Sequence, residues 1–100
     1  MTNQMRGDVD LWIEGELYRL RLTLGALAEI ESGLDLGSLL DLTERLRAPT
    51  VADLAVILAA LLRGGGHDMA SEALLARQID LPSAASAIAA AFAAAGLGAQ

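Results

Sequence analysis

The sequence contains no cysteine and no lysine, one histidine, two prolines and three aromatic residues. The absence of cysteine excludes disulfides and thiolate metal sites, and it fits a reducing compartment. The absence of lysine makes all seven positive charges arginine, against thirteen acidic residues, for a formal charge of −6. That balance argues against a nucleic-acid-binding module, which carries a basic face. With Trp12, Tyr18 and Phe92 as the aromatics, the core has to be built from Leu, Ile, Val and Ala. No apolar run approaches the roughly 20 residues of a membrane span. Val51 to Leu62 is short and holds Asp53, and the segment after Pro82 is mostly alanine. Met1 to Arg6 has no signal-peptide core. The expectation is a cytoplasmic protein with no membrane partner, no nucleic-acid partner and no cofactor.

What remains is 54% hydrophobic over 100 residues, which is one small domain with one core. The domain is expected over residues 7–96, after a disordered N-terminus at 1–6 and before a C-terminal tail at 97–100.

The strongest pattern lies in the first third. From Val9 to Ile13, and again from Leu17 to Thr23, apolar and polar residues alternate, which predicts two strands with one wet face each. Glu14-Gly15-Glu16 joins them as a hairpin. A type II′ turn on Gly15 and Glu16 puts glycine at the position of positive φ. That register pairs Ile13 with Tyr18, Leu11 with Leu20 and Val9 with Leu22. On the outer face it pairs Trp12 with Arg19 as a cation–π contact and Asp10 with Arg21 as an ion pair. The alternative turn, centred on Glu14 and Gly15, forces Glu14 to positive φ and ranks second. A two-stranded hairpin is marginal alone, so its apolar face has to be covered by the rest of the chain.

At Thr23 the period changes to that of a helix. Thr23 caps a first helix over about 24–32, ended by Gly33 in the left-handed position. Ser38 with Asp41 opens a second helix over about 39–47, with Leu39, Leu42 or Thr43, and Leu46 inward. Thr50 with Asp53 repeats that arrangement and opens a third over about 51–63. Its broad face of Leu54, Ile57, Leu58, Leu61 and Leu62 makes it the central helix. Asp68 caps a fourth over about 69–78, anchored by Leu74 and Leu75. A fifth, alanine-rich and high in helix propensity, runs over about 83–95 behind Pro82. The fold class is α+β: one N-terminal hairpin followed by four or five short helices.

None of the polar residues assembles a catalytic pattern. His67 next to Asp68 has the form of an oriented general base, but no Cys or Lys nucleophile exists and Ser71 is the only hydroxyl nearby. Gly64-Gly65-Gly66 follows a helix, not a strand, and lacks the Gly-Lys-Ser/Thr ending of a phosphate loop, so it reads as a connector. The acidic residues lack metal-ligand spacing and read as solvated faces. No enzyme is predicted. The remaining site signal is a small-residue stripe on the fifth helix, Leu81, Ala85, Ile88, Phe92 and Ala95. It either docks on a partner or packs on the third helix. Trp12 and Arg19 join Leu81, Ala85, Ile88 and Phe92 as candidate partner-binding residues.

The run Tyr18 to Glu31, then Ser38-Leu39-Leu40, then Leu62 to Asp68, resembles a family of small proteins from gene transfer agent and tailed-phage tail clusters. The resemblance spans roughly residues 6 to 95. The family is described both as a tail tube protein and as a tail assembly chaperone. The resemblance implies a non-enzymatic role, that of a tail assembly chaperone binding the tape measure protein, the tail tube protein or both during tail morphogenesis. The alternative is a structural tail tube component of the particle. Homo-oligomerisation is left open by the sequence.

Overall fold

The computed structural model describes residues 8–96. The expectations for 1–6 and 97–100 lie outside the described residues. Strands β1 (Asp8–Ile13) and β2 (Glu16–Arg21) form an antiparallel hairpin. Helices α1 (Leu24–Gly33), α2 (Leu39–Arg47), α3 (Val51–Gly64), α4 (Ser71–Leu75) and α5 (Leu81–Ala94) follow. The fold is α+β and mainly helical, as the change of period at Thr23 predicts.

The hairpin register differs from the first expectation. Ile13 faces Glu16, Leu11 faces Tyr18, Val9 faces Leu20, Asp10 faces Arg19 and Asp8 faces Arg21. The turn is centred on Glu14 (φ 52°) and Gly15 (φ 85°), both left-handed. This is the type I′ geometry, whose twist matches that of the strands, and Glu14 carries the strained position. The Glu14 carboxylate is held on both sides: it accepts the Gln78 N–H at 3.2 Å and meets Arg77 at 3.3 Å. Shifting the register by two residues keeps every side chain on its own face, so alternation could not choose between the two turns. The shift replaces both expected outer-face pairs. Trp12 faces Leu17 instead of Arg19, and Arg21 bonds Asp8 at 2.7 Å instead of Asp10. Strand β2 also ends at Arg21, before Leu22 and Thr23.

Three helix starts follow the capping signals. Thr23 accepts the Ala26 N–H, and Ser38 accepts that of Asp41. Thr50 and Asp53 form a reciprocal capping box. Gly33 does not end α1 in the left-handed region; Asp35 takes that conformation at φ 56°. Gly33 is instead the last helical residue and serves close approach to α3, where an added Cβ would stand 2.6 Å from Val56 Cγ1. Helix α4 is shorter than expected and is not capped by Asp68: its N-cap is Ala70, with no side-chain bond. Of its two expected anchors, Leu74 is buried and Leu75 exposed. Helix α5 starts two residues early because Asp80 accepts the Ser83 N–H at 3.1 Å, which seats Pro82 in the first turn.

Helix α3 is the hub. It packs on α1, β2, α4 and α5, and Ile57 and the run Leu58–Leu62 are buried. Helix α5 covers the apolar face of the hairpin, chiefly over β1, and also touches α3. Its buried residues include Ala84, Ala87 and Ala91, so it can approach both neighbours closely. Ile13, Leu20, Ile30, Ile57, Leu61 and Leu62 are the fully buried large side chains, each worth about 1.5–3 kcal/mol of burial. At the α2–α3 corner Arg45 bonds Asp53 at 2.9 Å and the Leu34 carbonyl at 3.2 Å.

Candidate protein-interaction surfaces

The two edges of the hairpin are treated differently by the rest of the chain. The two-residue turn makes Ile13–Glu16 a hydrogen-bonded pair, and such pairs alternate along an antiparallel ladder. The outward N–H and C=O groups therefore belong to Asp8, Asp10 and Trp12 on β1, and to Leu17, Arg19 and Arg21 on β2.

The β2 edge is covered. The segment leaving α3 runs beside it, with Gly64 against the Arg21 carbonyl and Gly65 against the Arg19 carbonyl. A Cβ at either position would sit inside the contact radius of a backbone oxygen. His67 Nε2 then accepts the Arg19 N–H at 3.1 Å, and its ring meets Tyr18 edge-on at 5.1 Å. The glycine run and the histidine, which as a sequence suggested only a connector and a weak general base, together cap a strand edge.

The β1 edge has no such cover among the described residues. It borders a groove of about 540 Å³, lined on one side by Asp10 and Trp12 and on the other by Ser83, Ser86, Ala87 and Ala90 of α5. Asp8, also on this strand, is buried and neutralised by Arg21, with Arg19 at 3.7 Å. Asp10 has no ion pair among the described residues.

A second feature is an apolar cleft of about 100 Å³ where the start of α3, α4 and the start of α5 meet. Val51, Leu54, Leu74, Leu75, Ile79 and Leu81 line it, and Val51, Leu75 and Leu81 are about half exposed. The sequence reading missed this cleft. Its signal was present in the apolar residues on both sides of the Asp80-Leu81-Pro82 break, but only the fold brings Val51 to them.

The expected stripe on α5 is divided by the structure. Ile88 and Phe92 are buried in the core, each 4% exposed, and face inward. Leu81 and Ala85 are on the surface. Trp12 is 65% exposed and stands beside Leu17 on the outer face of the hairpin. Arg19 is exposed and leans toward Asp8. Trp12 and Leu81 thus border two different concavities, and Ile88 and Phe92 border neither. Among the described residues, no helix is long and apolar enough to cross a membrane.

A family model described as phage tail tube protein, GTA-gp10, matches residues 6–98. No curated protein and no solved structure matches the chain. The chain belongs to this gene transfer agent and phage tail family.

Proposed function

We propose that this member of the family is a non-enzymatic tail assembly chaperone, which binds the tape measure protein, the tail tube protein or both while the tail is built in the bacterial cytoplasm. The observation that carries this reading is the asymmetry of the hairpin edges. A subunit that closes a ring by sheet pairing needs two open edges, one to offer and one to receive. Here the sheet described has two strands of six residues, and the β2 edge is occupied by Gly64, Gly65 and His67. Exposed Trp12, Leu17, Val51, Leu75 and Leu81 give a binding protein its anchors.

The second reading is a structural tube component, favoured by the description of the matching family as a tail tube protein. Co-expression with the neighbouring tape measure protein, followed by pull-down and size-exclusion chromatography, separates the two. The chaperone reading expects co-elution with a newly soluble tape measure and absence from purified particles. Stoichiometric presence in particles, or polymerisation of the isolated protein into rings or tubes, would decide for the tube.

A further inference from the structure

The open edge of β1 is a prepared place for one more strand. Asp10 and Trp12 present outward backbone donors and acceptors along it, and α5 walls the groove with Ser83, Ser86, Ala87 and Ala90. An added strand would lie roughly 4.8 Å from β1. The wall consists of serine, alanine and Pro82, so inward side chains of modest size fit beneath it. On the outer face the strand would meet the Asp10 carboxylate, which lacks an ion partner among the described residues, and the exposed ring of Trp12. A basic side chain satisfies both, by charge and by cation–π contact.

We infer that this groove docks an extended segment of another protein by strand addition, with small apolar residues toward α5 and Lys or Arg at alternate positions beside Asp10 and Trp12. A second copy of the chain fits less well. Pairing β1 with β1 would bring two Asp10 carboxylates and two chains of charge −6 together. It would also crowd the two α5 helices, each overhanging its own β1, above strands roughly 4.8 Å apart, where packed helices need about 8–10 Å. The inference rests on the reading of the chain as a partner-binding protein and names the surface and the chemistry of the partner.

The test uses the full chain, titrated with a short acetylated peptide alternating lysine and valine, with amide exchange followed by NMR. Slowed exchange at the Asp10 and Trp12 amides is expected. A peptide N-methylated at alternate amides should not bind, and a valine–glutamate peptide should bind more weakly. Asp10→Pro removes an outward donor from an edge position where proline is tolerated, and it should weaken binding about tenfold or more. Ser86→Trp, a change on the exposed face of α5, should fill the groove with the same result while leaving β1 intact. No binding at millimolar peptide overturns the inference, as does binding indifferent to both variants or seated at Leu75 and Leu81. Co-elution of the tape measure protein that ignores Asp10→Pro would also overturn this site and leave the chaperone reading standing. Peptide binding at β1 without any such co-elution would do the reverse.

Discussion

His67 Nε2 accepts the backbone N–H of Arg19 at 3.1 Å, across 48 residues of sequence. The only histidine of the chain thereby acts as an edge cap, completing what Gly64 and Gly65 begin on the neighbouring carbonyls.

Replacing that acceptor frees the edge. His67→Ala is expected to destabilise the fold by about 1 kcal/mol, the net value of one hydrogen bond, in urea unfolding. The Arg19 amide should exchange markedly faster while the amides of the β1–β2 ladder keep their protection. Unchanged exchange at Arg19 would remove the capping role.

Gly65→Ala is expected to be far more damaging. Its Cβ would collide with the Arg19 carbonyl, a backbone group that cannot swing aside. A loss of about 3 kcal/mol, at the upper end for overpacking, should appear in chemical denaturation. Gly66→Ala separates space from backbone conformation. A Cβ there meets nothing within 4 Å, so its cost comes only from φ 97°.

Asp53 ties the start of α3 to α2. Burial pushes its carboxyl up, but the Thr50 backbone N–H, the Arg45 guanidinium and the Thr50 hydroxyl together hold it below the usual aspartate range. A depressed native value adds stability above the unfolded value, about 3.9, and that stability is lost as pH falls through the native one. Acid unfolding monitored by circular dichroism should therefore show a component below about pH 4 that Asp53→Asn flattens. Thr50→Ala should cost about 1 kcal/mol at neutral pH through loss of the cap.

The division of the α5 stripe predicts opposite behaviour at its two ends. Phe92→Ala should cost about 3–5 kcal/mol as a core truncation. Leu81→Ser, at a half-exposed site, should change stability by no more than about 0.5 kcal/mol. If the cleft at Leu81 binds a partner, Leu81→Ser should weaken retention in pull-down while thermal melting stays unchanged. Weaker retention by Phe92→Ala at a temperature where it remains folded, with Leu81→Ser silent, would put the contact elsewhere.

Most elements, α4 excepted, are legible in the amino-acid order alone: the alternation of Val9, Leu11 and Ile13, the caps at Thr23, Ser38 and Thr50, and the broad face of α3 are local patterns with local physical causes. So is the buried face of each strand, because that depends only on parity. The rest was settled by packing between distant segments. The turn sits on Glu14 and Gly15 because the Gln78 N–H and Arg77 reach the Glu14 carboxylate from 63 or more residues away. Gly33 serves close packing, not a left-handed cap, because Val56 stands against it. Ile88 and Phe92 face the core because α5 lies on both the hairpin and α3, and a stripe of small residues has the same period whether it packs inward or outward. The Gly64-Gly65-Gly66-His67 segment shows the difference most plainly. Its composition permits a loop of any purpose, and only the approach of β2 makes two of its glycines a close contact and its histidine an acceptor.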